Sequence, residues 1–359
     1  MKIAQVVWPE NSMPPKRYGP VQLVASILAN GLSKRGHDLT SFTTADSTVS
    51  GKKIIVAECP TRDDPTIPDL LYYHSVTMAE LLKHRNEFDI IHSHIGHSII
   101  PILEVTDTPV VITSHGTYDN PHPRYIYKKY AQKAHFVAIS ESQKKSLPGV
   151  NYAGVVYHGI DVDNFEYSDE ADDYMLYVGR TSPVKGLGPA IKASIATGRR
   201  LIIAAHSDQT EAGKKYFDTD IKPYLNHKEI DFLGEVDQGK LRALMAKAKL
   251  LIFPIQWEEP FGLVVAEANA SGTPVVAYAR GSMPEIIGEG VNGYLVEPGN
   301  DEKLNAALKK VFEIPEAEYR KLRESSRRYA EKNFTIERMI DGYEEIYKKI
   351  IGRINARRI

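Results

Sequence analysis

Short apolar runs rich in β-branched residues alternate with segments of helical period along almost the whole chain. That alternation restricts the fold more than any other feature. Runs at Ile3–Trp8, Asp38–Thr43, Lys53–Val56, Asp89–His92, Pro109–Thr113, Phe136–Ile139 and Gly154–Tyr157 are bounded by Gly, Pro, Ser or His and read as strands. Between the first two, Val21–Lys34 puts Val21, Val24, Ala25, Leu28 and Leu32 on one face, and Lys34-Arg35-Gly36 stops the helix. The pattern then repeats. Strands are expected at Tyr174–Val178, Arg200–Ala205, Ile230–Leu233, Leu250–Pro254 and Pro274–Tyr278. Helices are expected at Val184–Thr197, Gln238–Ala248 and Asp301–Phe312. Strand–helix alternation covers a parallel sheet on both faces, so two sets predict an α/β chain of two doubly wound domains. The acidic, irregular stretch Asp161–Asp173 is the expected linker. The expected boundaries are 1–160, 161–335 and a C-terminal helical segment, 336–359. A length of 359 residues suits two domains.

Composition narrows the class. With 45 Lys and Arg against 46 Asp and Glu, the chain lacks the basic footprint of a nucleic-acid binder. The single cysteine, Cys59, allows no intrachain disulfide and no Cys-based zinc site, which fits a reducing, cytoplasmic setting. No run approaches the ~20 apolar residues of a membrane span, and the N-terminal run is too short for a signal peptide. The C-terminal segment carries an apolar stripe of Ile336, Met339, Ile340, Tyr343, Ile346, Tyr347, Ile350, Ile351 and Ile354. Residues 301–359 hold 15 Lys/Arg and 11 Asp/Glu, a net of +4. A core-facing helix is the expected reading of that stripe. A helix lying on the inner face of a membrane has the same composition.

Three clusters carry chemistry. Glu258-Glu259-Pro260-Phe261-Gly262-Leu263 follows an expected strand, with Glu267 further on. Pro260 suits a helix start, and the first-turn N–H groups with the helix dipole make an anion site. On that reading Glu259 and Glu267, eight apart, stand two turns apart on one helix face and hold hydroxyls at the two ends of a long polar ligand. Gly179-Arg180 and Lys185-Gly186 follow another strand, and two cations at such a turn suit a diphosphate. Neither a dinucleotide fingerprint nor a Walker loop is present there. His92, His94 and His97, then His115, follow two further strands. No fourth metal ligand is evident, so no metal is expected. The Asp161-Val162-Asp163 and Asp218-Thr219-Asp220 triplets, which spell Asp-x-Asp, end no buried strand and are not expected to hold one either.

Taken together these residues resemble glycosyltransferase family 4, the retaining transferases of the GT-B fold. Glu259-x7-Glu267 matches that family's Glu-x7-Glu, and Gly179-Arg180 with Lys185-Gly186 matches its diphosphate clamp. Gly272-Thr273-Pro274, Gly281-Ser282-Met283-Pro284-Glu285 and Gly290-Val291-Asn292-Gly293 match later blocks. His158-Gly159-Ile160-Asp161 resembles its linker, with His158 where Asn is usual. Tyr18-Gly19 and Gly36-His37-Asp38 resemble its N-terminal blocks. The resemblance implies two Rossmann-like domains with a cleft between them, the N-terminal domain taking the acceptor and the C-terminal one the nucleotide sugar. It implies that Arg180 and Lys185 hold the diphosphate, Glu259 the donor sugar and Glu267 the ribose. It places Gly19, Val236, Phe261, Gly262 and Leu263 at the donor and brings His115 to its sugar. It implies no metal and no cofactor beyond the nucleotide sugar. Residues 255–263 look closest to members using UDP-glucose, with a GDP-sugar as the alternative. The resemblance implies a small-molecule or glycan acceptor. Pro20 replaces the family's usual second glycine. A GT-B 2-epimerase, a phosphorylase and a non-catalytic nucleotide-sugar-binding protein remain alternative readings.

Overall fold

The computed structural model describes residues 1–16, 19–62 and 64–358. Tyr18 lies outside them. The chain forms two compact units, one of residues 1–159 with 336–359 and one of 160–335. Each is built on one parallel sheet.

Unit 1 holds strands β1 (Lys2–Val6), β2 (Asp38–Thr44), β3 (Lys52–Ala57), β4 (Ile90–Ser93), β5 (Val110–Thr113), β6 (His135–Ala138) and β7 (Tyr152–Val155). Their order in the sheet is β3-β2-β1-β4-β5-β6-β7, all parallel. The strand order reverses direction between β1 and β4. Such a switch point opens a crevice at the C-terminal strand ends, where open α/β sheets bind ligands. Pro20 opens the Pro20–Lys34 helix, the one position where a missing N–H costs nothing, and Gly19 stands at its N-cap. The departure at Pro20 is therefore accommodated as a helix start. A side chain at Gly19 would run into Pro15 and Asn11.

Within unit 1 the apolar stripe of the C-terminal helix Ile336–Arg358 is largely buried: Met339, Ile340, Tyr343, Ile346, Tyr347 and Ile350 belong to the core. A Cβ at Gly31 of the Pro20–Lys34 helix would come within 2.0 Å of Ile340 Cδ1, and one at Gly154 within 2.9 Å of Ile346 Cδ1. Glycine at these points, one in a helix and one in β7, lets backbone approach the stripe, against a cost of about 0.5–1 kcal/mol each. Arg35 and His37 pair with Glu344 on the same helix. The middle of this apolar face is thus spent on the core, while Ile336, Ile351 and Ile354 are half-buried.

Unit 2 holds β8 (Met175–Arg180), β9 (Leu201–His206), β10 (Ile230–Gly234), β11 (Leu250–Phe253), β12 (Val275–Tyr278) and β13 (Gly293–Val296), in the order β10-β9-β8-β11-β12-β13. The expected strands fall within two residues of these. β13 had no counterpart in the sequence reading, because four residues beginning at glycine carry too little periodicity. The Val184–Thr197 helix is shorter than expected. A 3-10 turn at Pro183–Lys185 is followed by Gly186 at φ +77, and the α-helix runs over Leu187–Thr197. The expected linker is also more fixed than a linker. Arg323 and Arg327 of the Glu316–Asn333 helix donate to the carbonyls of Ser168, Val162 and Phe165. Among the described residues no helix is long and apolar enough to cross a membrane.

Candidate active site

The switch point of unit 2 lies between β8 and β11, and two of the three sequence clusters meet there. Arg180 is the last residue of β8, and Lys185 ends the 3-10 turn that follows. The loop after β11 carries Trp257 and Glu259. The two loops are laced together: Gln256 N–H donates to Val184 O at 2.8 Å, and a Cβ at Gly186 would sit 2.0 Å from Pro254 O. Gly186 lets these backbones touch.

At the centre, Lys185 Nζ lies 2.7 Å from Glu259 Oε2, both side chains largely buried. Trp257 Nε1–H donates to the same oxygen at 2.7 Å, and the Lys185 ammonium stands 4.6 Å from the Trp257 ring centroid. The Arg180 Nε is buried and, among the described residues, has no hydrogen-bond partner. A buried donor of this kind costs on the order of 1–3 kcal/mol unless something accepts from it. Tyr177, fully buried beneath, lies within hydrogen-bonding reach of both the Arg180 and Lys185 carbonyls. Glu258 turns aside, accepting from Gly281 N–H at 2.7 Å. Trp257, Tyr177 and Gly281 were missed as site residues, since only the folded loops show what they touch.

The structure corrects the local reading around Glu259. The helix begins at Leu263, not at Pro260, with Gly262 at φ +88 as its N-cap. Glu259 therefore sits in the preceding loop, and the spacing to Glu267 does not represent two helical turns on one face. The Leu263–Ala270 helix presents its N-terminus to this loop. Its far end is closed by Arg327, which donates to Ala270 O at 2.6 Å, and by Arg323, which donates to Ser271 O at 3.3 Å. Phe261 packs its buried ring against Phe334, so any part it plays at a ligand passes through its backbone. Glu267 is partly buried, and burial pushes its carboxyl up to about 7, opposed by the charge of Arg242. Val236, partly exposed, follows β10.

In unit 1 the third cluster forms a buried column. Gln5 Oε1 accepts from His94 Nε2 at 2.7 Å, His94 Nδ1 meets His115 Nε2 at 2.9 Å, and His115 Nδ1 meets His158 Nε2 at 3.3 Å. With the amide oxygen of Gln5 toward His94, each Nε2–H donates along the column toward Gln5. His92 is held separately by Thr113 and Tyr347. Burial lowers the pKa of His92 to about 3 and of His115 to about 4, and drives His94 and His158 down as well, with neighbouring histidines adding to the shift for all but His115. The column is neutral at pH 7. Both ring nitrogens of His115 are committed inside unit 1. His97 stands apart, edge-on to Tyr127. Among the described residues no group of three or more His, Cys, Asp or Glu is placed to hold a metal.

Comparison with known proteins places the chain in a family. The family model "Glycosyl transferases group 1" matches residues 162–333, and "Glycosyltransferase Family 4" matches residues 21–164. The chain belongs to the GT-B glycosyltransferases of this type. The glycosyltransferase is 25% identical over 380 residues to a glycogen synthase of Mycobacterium tuberculosis, covering 91% of this chain and 90% of that one. Its fold is similar to the sucrose-phosphate synthase of Thermosynechococcus elongatus (TM-score 0.81, 18% identity, 98% and 99% of the two chains). It is also similar to HepE of Anabaena, solved with UDP and glucose (TM-score 0.77, 18% identity, 97% and 100%). Glycosyl transfer from a nucleotide-sugar donor is the activity class of this glycosyltransferase.

Proposed function

We propose that this glycosyltransferase is a retaining hexosyltransferase that moves glucose from UDP-glucose to a hydroxyl acceptor without a metal ion. The observation that carries the reading is the Lys185–Glu259–Trp257 contact at the strand-end crevice of unit 2, with the buried Arg180 Nε at the end of β8 lacking a partner among the described residues. Arg180 and Lys185, with the N-terminus of the Leu263–Ala270 helix, supply the positive charge that a departing nucleoside diphosphate needs. Glu259 accepts from hydroxyls of the donor sugar, and Glu267 from those of the ribose. As the bond from the anomeric carbon to phosphate breaks, its electron pair goes to the diphosphate. The acceptor oxygen attacks the same face, and its proton passes to the departing phosphate oxygen. His115, with both ring nitrogens engaged by His94 and His158 inside unit 1, has none left to give or take a proton. UDP-glucose as donor is supported by the run Ile255–Leu263 and by HepE, a protein of the same fold solved with UDP and glucose.

A thermal-shift screen of nucleotide sugars, with and without EDTA, tests this reading, followed by mass-spectrometric acceptor screening with the best donor. UDP-glucose is expected to raise Tm equally in both conditions, and Arg180→Ala and Glu259→Ala are expected to lose transfer. Full transfer by either variant, or loss of the shift in EDTA, would refute it.

A further inference from the structure

Trp257 is one of only two tryptophans in the chain, the other being Trp8. Its indole sits where two opposite charges meet. The indole N–H is a donor with no accepting capacity, so its natural partner there is a carboxylate and not a cation. It takes Glu259 Oε2 at 2.7 Å, and its ring face lies beneath the Lys185 ammonium. Among the described residues only Oε2 of Glu259 is engaged by a side chain. Two backbone hydrogen bonds tie down the supporting loop: Glu259 N–H returns to Trp257 O at 2.9 Å and Ser282 N–H donates to Glu259 O at 2.9 Å. Gly281, at φ +57, has room for no Cβ, which would fall 2.3 Å from Glu259 O.

We infer that Trp257 is a positioning residue for the donor, an inference that rests on the donor reading above. A diphosphate competes with Glu259 for the Lys185 ammonium. When Lys185 turns to phosphate, the indole N–H still grips Oε2, so the carboxylate keeps its aim and offers Oε1 to a sugar hydroxyl. The ring face meanwhile keeps the ammonium in place through cation–π attraction. Without the N–H, the carboxylate gains rotational freedom at the moment it has to be oriented.

The two contributions separate in two substitutions. Trp257→Phe keeps a ring face and removes the N–H. UDP affinity is expected to stay within about threefold, while kcat for transfer falls about 10- to 100-fold. Trp257→Leu removes both, and UDP affinity is expected to drop as well, by about fivefold. The contact itself is read without nucleotide in a 15N-labelled protein, which has two indole N–H signals. The signal missing from Trp257→Phe assigns Trp257, and Glu259→Gln is expected to move that signal and leave Trp8 in place. This second measurement stands if Trp257→Phe fails to fold, with Trp257→Leu supplying the assignment. An unmoved Trp257 signal in Glu259→Gln, or full kcat in Trp257→Phe, overturns the positioning role. Wild-type protein that binds neither UDP nor any nucleotide sugar overturns the donor reading instead, and the indole result is unaffected by that failure.

Discussion

Glu267→Gln separates a binding carboxylate from a structural one. Burial holds the Glu267 carboxyl at about 7, against an ordinary 4.5. If the ribose hydroxyls are bound by the ionised form, the competent fraction is about 1 in 11 at pH 6 and about 10 in 11 at pH 8. The dissociation constant of UDP-glucose is then expected to tighten about tenfold over that interval. UDP-glucose is the suitable probe, because its diphosphate does not titrate there. The amide variant removes a charge-assisted bond worth about 1.5–3 kcal/mol, a loss of roughly 12- to 160-fold at pH 8. The gap narrows about tenfold at pH 6, where the wild type has itself lost the charge. Stability moves the other way. The folded pKa is raised, so the native state binds more protons between pH 4.5 and 7, and the fold loses stability as pH rises through about 7. Removing the ionisable group is expected to raise stability at pH 8 by on the order of 3 kcal/mol. Isothermal titration calorimetry at pH 6, 7 and 8, with melting curves of both proteins, reads both effects. Equal pH slopes in the two proteins, or a variant that binds as tightly as wild type at pH 8, would refute the reasoning.

Two further outcomes follow from the buried polar groups. Arg323 is fully buried and donates to the carbonyls of Ala246, Ala248, Ser271 and Ser168, the first three at the ends of the helices Gln238–Lys247 and Leu263–Ala270. Arg323→Met strands those carbonyls and is expected to cost about 3–5 kcal/mol in urea unfolding; a loss under about 1 kcal/mol would contradict the role. The histidine column has the opposite linkage to Glu267. Its pKa values are lowered below 6.5 by burial, so the unfolded chain binds more protons, and stability present at pH 7 is lost as pH falls below 6.5 toward 4. Each such histidine contributes a slope of about 1.4 kcal/mol per pH unit, so His94→Gln is expected to flatten the decline between pH 6 and 5; an unchanged slope would remove the column as its source.

Much of the fold was legible because a strand buried on both faces must read as a short apolar run, and a helix on it as a 3.6-residue stripe. Strand positions in both units and the burial of the Met339–Ile350 stripe follow from that pattern. Two positions show its limit. Pro260 looked like a helix start by type, yet Gly262 makes the start, because the loop after β11 needs backbone at positive φ close against Met283. Phe261 reads as part of a conspicuous motif, yet its ring belongs to the core beside Phe334. In both cases the residue's type was visible and its direction was not.

The sequence by itself determined the two α/β units, the loops that carry charge after strands, and the glycosyltransferase type of the chain. Those properties are local, since a residue's period, turn chemistry and motif lie within a few positions of one another. Tertiary structure alone decided which loops meet. β8 and β11 are neighbours across some seventy residues of chain, so Lys185 finds Glu259, Trp257 finds both, and Gln5, His94, His115 and His158 line up from the ends of four different strands. Crossover topology sets those meetings, and no periodicity records it. Burial completes them, lifting the Glu267 carboxyl toward neutral pH and keeping the histidines uncharged, because the cost of a charge depends on what surrounds it.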